Sequence, residues 1–232
     1  MAFEKGDFIL IDYVAKVKET GDIFDTTIEE VAKKERLYKE GEIYEPKLVV
    51  VGEGWVLKAL DEALQNLELE KTSEIEIPPE KAFGPRDPEK VRLVPLRRLV
   101  AKGITPQIGA QIEFNGKPAT VRTIGGGRVQ LDFNPPLAGK TLVYEITVKK
   151  KIEDPKEKVL ALVHRRIPPV EIEKFKLKMK EALIELEIPE EAFYIEGIQL
   201  AKRGIAMDIQ KFFPEIQTVR FIETYQRKPA EA

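Results

Sequence analysis

The sequence predicts an α+β chain in three parts: a discontinuous domain of antiparallel strands with one short helix over residues 1–86 and 136–152, a small β domain inserted at 87–135, and a C-terminal α/β domain over 153–232. Three observations predict it. Apolar residues alternate with polar ones near the start, over Phe8–Val17, and again over Thr141–Ile152, so two distant stretches carry the pattern of strands in one sheet. Between them Asn115-Gly116 lies between short alternating runs, the signature of a tight hairpin. After Glu153-Asp154-Pro155 the spacing turns helical and then alternates again.

In chain order, Ile9, Ile11, Tyr13, Ala15 and Val17 form one face of the first strand, with Lys16 and Lys18 on the other, and Glu19-Thr20-Gly21-Asp22 is a turn. Ile28–Tyr38 is charged with sparse apolar positions and reads as a short helix or an ordered loop. Lys47–Val51 is a β-branched run bounded by Pro46 and Gly52, and Val56–Leu67 has helical apolar spacing, so a strand feeds a helix. Ser73–Ile77 alternates and is stopped by Pro78-Pro79. Within the insert, Gln111–Phe114 and Ala119–Ile124 flank the Asn-Gly turn, and Gly125-Gly126-Gly127 precedes a third run, Val129–Phe133. Beyond residue 153 the spacing predicts a helix over Lys156–Ile167, strands around Phe175–Met179 and Ile184–Ile188, a long helix over Phe193–Phe213 and a last strand at Val219–Phe221. This α-β-β-α-β unit reads as separate from the rest.

Composition narrows the chemistry. With 34% charged and 43% hydrophobic residues among 232, the chain has the apolar share of a folded protein. Lys+Arg (38) and Asp+Glu (40) nearly cancel to a net charge of −2, which gives no field of one sign for nucleic acid or an anionic membrane. Lys149-Lys150-Lys151 and Arg97-Arg98 are the short basic runs on which a nucleic-acid factor would rest, and runs of this kind are ordinarily solvated faces. The absence of cysteine excludes disulfides, thiolate nucleophiles and Cys-ligated zinc. No apolar run approaches the ~20 residues that span a bilayer, and the N-terminus lacks the apolar block of a signal peptide, so the expected location is cytoplasmic, without a membrane partner. The dense Lys, Glu and Ile usage resembles that of hyperthermophile proteins.

Few residues point to group-transfer chemistry. The one histidine, His164, sits beside Arg165 and Arg166 near a helix end, where positive charge offsets the dipole. A triad or histidine metal site is not expected. Gly125-Gly126-Gly127 lacks the Lys-Ser/Thr of a phosphate loop and Gly52-Glu53-Gly54 lacks the third glycine of a dinucleotide fingerprint, so no cofactor is expected. Asp61/Glu62 and Glu190/Glu191 read as solvated helix starts and not as paired catalytic acids.

What remains is an apolar and aromatic set with one acid: Tyr13, Phe24-Asp25, Val56-Leu57, Phe83 and Tyr144. The plain reading makes these core. However, the segments DYVAKVKETGDIFDTT, VVGEGWVLKALDEAL, IPPEKAFGPRD and LAGKTLVYEITV occur in the order and approximate spacing of the signature segments of the FKBP family, and residues 1 to about 152 resemble its SlyD-like branch. The segment after them resembles the C-terminal domain of archaeal long-type FKBPs.

That resemblance implies an FKBP-like twisted antiparallel sheet around a short helix, holding an apolar pocket for proline, and peptidyl-prolyl cis/trans isomerase (rotamase) activity without a cofactor or metal. It assigns Tyr13, Val56, Leu57, Leu60, Phe83 and Tyr144 to apolar walls, Phe24 to the wall facing the proline ring, and Asp25 to orienting Tyr13 or the substrate backbone. Phe83 stands where the family has a flap tyrosine, and Leu60 where drug-binding members have tryptophan, with Trp55 earlier in the segment. The insert matches in place and size the insert-in-flap domain, which implies chaperone function in protein folding. Implied partners are unfolded or partly folded polypeptides containing X-Pro bonds. The alternative is a non-catalytic holdase on the same scaffold. For the C-terminal unit, homodimer formation and client contact are both open.

Overall fold

The alternation in the first strand-like stretch becomes strand β1 (Phe8–Val17), which buries Phe8, Ile9, Ile11, Tyr13, Ala15 and Val17. The computed structural model describes residues 3–226. After β1 come β2 (Ile23–Thr26), α1 (Glu29–Lys34), β3 (Lys47–Val50), α2 (Lys58–Leu64) and β4 (Thr72–Ile77). The insert region holds β5 (Val91–Pro95), α3 (Leu96–Val100), β6 (Gln111–Phe114), β7 (Lys117–Gly125) and β8 (Arg128–Asp132). Strand β9 (Leu142–Ile152) leads to α4 (Pro155–Arg166), β10 (Lys176–Met179), β11 (Leu183–Ile188), α5 (Ile198–Phe212) and β12 (Thr218–Glu223). The class is α+β, as expected.

The chain divides into two units. The first takes in the residues up to Ala15, Ile23–Ile75 and the chain from Tyr144 onward; the second takes in Lys16–Asp22 and Glu76–Val143. A five-stranded sheet runs in the order β2-β1-β9-β4, with β3 paired to β1. The β1–β3 pair is antiparallel, with Phe8 opposite Val50 and Leu10 opposite Leu48. In the C-terminal part a second sheet runs β10-β11-β12, in which β12 lies parallel to β11. A parallel neighbour requires a crossover, and α5 supplies it.

The C-terminal segment reads from its spacing as a separate unit, and its apolar cluster also takes in residues of β1 and β3. Phe8, Leu48 and Val50 from β1 and β3 pack in one apolar cluster with Leu162 of α4 and Ile205 and Ile209 of α5. Phe8 meets Phe212 edge-on at 5.1 Å between ring centroids, and Trp55 meets the same ring at 5.9 Å. Periodicity shows that a face is apolar but not what covers it. Here the face of β1 and β3 is covered by the C-terminal helices.

Helix α4 starts one residue before the expected Lys156, because Asp154 caps it: the Glu157 amide donates to Asp154 Oδ1 at 2.9 Å, and Pro155 occupies the first turn. Helix α5 starts five residues later than the spacing predicts, at Ile198. Gly197 has φ 76°, a left-handed conformation that cannot belong to the helix, and residues Glu190–Ala192 form a separate 3₁₀ turn. Strands β2 and β5 and helix α3, of four or five residues each, are additions to the expected elements.

In the second unit the insert forms a four-stranded antiparallel sheet, β5-β8-β7-β6. Asn115 (φ 54°) and Gly116 (φ 73°) make the predicted tight hairpin between β6 and β7. Val94, Leu99, Phe114, Val121, Val129 and Leu131 are its core. Its entry and exit are tied together: the Asp87 amide donates to Asn134 Oδ1 and Asn134 Nδ2 donates to the Asp87 carbonyl, both at 2.9 Å. Asn134 also donates through Nδ2 and its amide to Asp132 Oδ1 at 2.8 and 3.0 Å.

Candidate functional site

Tyr13 is held by the last residue of β2 and the one after it. Its amide donates to Thr27 Oγ1 at 2.9 Å, and its carbonyl accepts from Thr26 Oγ1 at 2.9 Å and from the Thr27 amide at 3.1 Å. Thr27 Oγ1 in turn donates to Asp12 Oδ1 at 2.9 Å. This clamp fixes the phenol so that its hydroxyl donates to Asp25 Oδ2 at 2.8 Å. Thr26 and Thr27 stand in the quoted DIFDTT run, yet their positioning role was missed, because hydroxyls that bond a neighbouring strand's backbone leave no periodic trace.

Tyr144, from β9, stands 5.8 Å from the Tyr13 ring at a tilt of 52°, and Phe24 meets Tyr144 edge-on at 6.1 Å. Such tilted and edge contacts suit aromatic quadrupoles. Burial, then the Asp25 charge, pushes the Tyr144 hydroxyl up to about 12, and the same causes, together with the hydrogen bond to Asp25, push Tyr13 higher still. Both phenols are neutral donors at ordinary pH.

Val56 and Leu57 are half-buried just before α2, and Leu60 is 2% exposed on its inner side. Their loop is fixed by Asp61, whose Oδ1 accepts from the Gly52 amide and whose Oδ2 accepts from the Gly54 amide, both at 2.8 Å. Asp61 is 6% exposed, so the reading of Asp61/Glu62 as a solvated helix start holds for Glu62 and fails for Asp61. Two glycines with positive φ directly before a helix present their amides to one acid, and that spacing was the available signal. Trp55 does not face a pocket floor: the Arg165 guanidinium stacks over its ring, 3.9 Å from the centroid. Of the eight expected site residues, direct ring and hydrogen-bond contacts join Tyr13, Phe24, Asp25 and Tyr144 in the first unit. Val56, Leu57 and Leu60 belong to the same unit. Phe83 belongs to the second, after the 3₁₀ turn Pro79–Lys81, and is 43% exposed.

A cleft of about 740 Å³ opens at Tyr13 and Asp25 and extends along residues 42–48 to α4. One of its cross-links is His164 Nε2 to Glu45 Oε1 at 2.7 Å, which gives the histidine a partner 119 residues away in addition to its place in the last turn of α4. The Nδ1 atom is buried and has no hydrogen-bond partner among the described residues. Among those residues no group of three or more His, Asp or Glu side chains is placed to hold a metal ion, and no helix is long and apolar enough to cross a membrane. The aromatic group thus sets two neutral hydroxyls and one carboxylate among the Tyr13, Phe24 and Tyr144 rings.

Comparison with known proteins agrees. Residues 155–226 match the family model described as FKBP26 C-terminal, and residues 92–137 match that described as FKBP26, IF domain. The chain is similar to the short-type peptidyl-prolyl cis-trans isomerase of Methanocaldococcus jannaschii, with 36% identity over 146 residues, 63% of this chain and 92% of that one. It is similar to the FKBP-type 16 kDa peptidyl-prolyl cis-trans isomerase of Escherichia coli K12, with 30% identity over 108 residues, 44% of this chain and 72% of that one. To the FKBP-type isomerase SlyD of Helicobacter pylori it is 27% identical over 160 residues, 67% of this chain and 78% of that one. The chain therefore belongs to the FKBP-type peptidyl-prolyl cis-trans isomerases, in their SlyD-like branch.

Proposed function

We propose that this isomerase accelerates X-Pro isomerisation in unfolded or partly folded polypeptides, with residues 1–86 and 136–152 as its catalytic domain and the 87–135 insert holding the client. The observation that carries the reading is the Tyr13–Asp25 hydrogen bond set against the Tyr13, Phe24 and Tyr144 rings. Rotation about a peptide bond meets a barrier of roughly 18–20 kcal/mol, and X-Pro interconversion takes tens to hundreds of seconds uncatalysed. No proton or nucleophile is needed. The planar amide owes its stability to resonance that places negative charge on oxygen, and the twisted amide has lost it. A dry apolar pocket binds the less polar twisted form better than the planar one, which lowers the barrier. In this reading Phe24 faces the proline ring, Val56, Leu57, Leu60, Phe83 and Tyr144 complete the apolar walls with the Tyr13 ring, and Asp25 orients the Tyr13 hydroxyl or the substrate backbone.

The test is the cis-to-trans rate of Xaa-Pro tetrapeptides, followed by protease-free fluorescence with the intact protein and with Asp25→Ala. Acceleration that falls about tenfold in the variant, the loss of roughly 1.4 kcal/mol in the transition state, supports the pocket. Equal acceleration by both proteins removes Asp25 from it.

A second reading, a holdase without turnover, draws on the exposed apolar residues of the insert, Leu93 (60%), Val100 (60%) and Ile108 (69%), and on the missing hydroxyl at Phe83. If the insert holds clients, serine at Leu93, Val100 and Ile108 together lowers refolding catalysis of a proline-limited protein several-fold more than tetrapeptide turnover, through a lower effective concentration of client. Equal losses on both would sink the division of labour. The cytoplasm is the proposed compartment. For the C-terminal domain, 153–232, a role in homodimerisation would appear as a concentration-dependent mass on sizing the intact protein.

A further inference from the structure

The loop between β3 and α2 is held from two directions, and its anchors alternate along the chain. Asp61 accepts the amides of Gly52 and Gly54, both at 2.8 Å. The side chains between and after those glycines, Glu53 and Trp55, are engaged instead by the C-terminal helices. Lys211 of α5 pairs with Glu53. The Arg165 guanidinium, in the last turn of α4, lies over the Trp55 ring at 3.9 Å from its centroid, and Phe212 of α5 meets the same ring edge-on at 5.9 Å. Val56 and Leu57 follow directly. All of these residues belong to the first unit.

A loop with two glycines at positive φ, 81° and 67°, has little stiffness of its own. Asp61 fixes its two glycine amides, so the direction in which the chain leaves Trp55 depends on what holds the indole. Arg165 suits that task, because a planar guanidinium stacks on an aromatic face as a lysine ammonium does not, and tryptophan is the best such face. The neighbouring arginine does something else. Arg166 donates through Nε and a terminal nitrogen to Asp208 of α5 at 3.0 and 2.8 Å, whereas Arg165 comes no closer to that acid than 3.9 Å. Arg166 ties α4 to α5, and Arg165 is turned to the loop.

We propose that Arg165 and Lys211 are positioning residues for the isomerase: acting through Trp55 and Glu53, the C-terminal helices set where Val56 and Leu57 stand. The inference rests on the isomerase reading, which gives Val56 and Leu57 their place in the pocket walls. It gives the C-terminal segment a part in turnover that requires no contact with the client. A wall displaced by about 1 Å loses its fit to the twisted amide while the fold persists, so loosening the loop costs turnover more than stability.

The test uses the intact protein and two readouts, kcat/KM for an Xaa-Pro tetrapeptide and the methyl order parameters of Val56 and Leu57. Arg165→Met keeps an apolar stem against the indole and removes the cation. It should lower kcat/KM about fivefold, the size of a single cation–π contact, and lower both order parameters, with the urea midpoint little changed. Arg166→Met is the control: it removes the closer ion pair of the same helix, and should lower the urea midpoint while leaving both readouts unchanged. In a Trp55→Leu background, Arg165→Met should have no further effect, because the arginine acts through the ring. Unchanged turnover in Arg165→Met, an equal loss in Arg166→Met, or an undiminished effect of Arg165→Met without Trp55 overturns the proposal and leaves the isomerase reading standing. If Arg165→Met does not fold, Lys211→Gln, at an exposed position of α5, releases Glu53 and is judged by the same two readouts. If the intact protein turns over no peptide, the isomerase reading fails, and the order parameters alone decide whether the C-terminal helices position the loop.

Discussion

The Tyr13 hydroxyl and the Asp25 carboxylate are joined at 2.8 Å, which ties the middle of β1 to β2 and leaves an exposed acid anchored by a buried phenol. Tyr13→Phe keeps the ring and removes the donor. The expected outcome is a fall in tetrapeptide kcat/KM of about three- to tenfold, the worth of one net hydrogen bond of ~0.5–1.5 kcal/mol, with near-ultraviolet circular dichroism unchanged. Unaltered turnover would reduce the bond to a fold contact.

Alkali should find a limit in the same aromatic group. Tyr144 is pushed from an ordinary 10.0 up to about 12 in the fold. The unfolded chain therefore loses this proton first, so the stabilisation is complete below about pH 10 and is lost as pH rises toward about 12. Urea midpoints measured from pH 8 to 11.5 should begin to fall near pH 10, and Tyr144→Phe should flatten that fall.

Asp61 accepts two backbone amides while almost wholly buried. Asp61→Ala leaves both glycine amides without a partner and should cost about 2–4 kcal/mol, from charge-assisted bonds of ~1.5–3 kcal/mol each with partial rescue by water. Urea unfolding followed by the single Trp55 would report the loss, and Asp61→Asn should recover part of it by accepting one amide.

The insert has its own acid limit. Burial alone would raise the Asp132 carboxyl, but hydrogen bonds from the Asn134 side chain and amide and from Arg122, with the charge of Arg86, hold it at about 2 instead of 3.8. A depressed value means that its contribution is present above about pH 4 and disappears as pH falls toward about 2. Protection factors of the β5–β8 amides, which correct for the intrinsic pH dependence of exchange, should fall over that window, and Asp132→Asn should lower them already at pH 7.

Much of this was readable in advance because it is local. The alternation of β1, the Asn115-Gly116 hairpin and the helical spacing of α4 are each written in nearby residues. Tyr13, Phe24, Asp25 and Tyr144 were found through ordered segments, and the structure shows them in contact. Asp61 was misread because its partners are backbone amides, which carry no residue identity. The far wall of the cleft was invisible for a related reason: Glu45 and His164 lie 119 positions apart, and no spacing rule reaches across that distance. Helix α5 was drawn too long because a single left-handed glycine outweighs a continuing apolar period.

The packing of Phe8 on Phe212 also sets a timetable for synthesis. At ~5–20 residues per second, the ribosome makes the partner of Phe8 on the order of ten to forty seconds after Phe8 itself. For that interval the apolar face of β1 and β3 lacks the part of its cover that α5 supplies. The nascent isomerase is therefore, for a time, an unfinished chain of the kind it is proposed to serve, and other chaperones or a second nascent copy could occupy that face until its own last helix arrives.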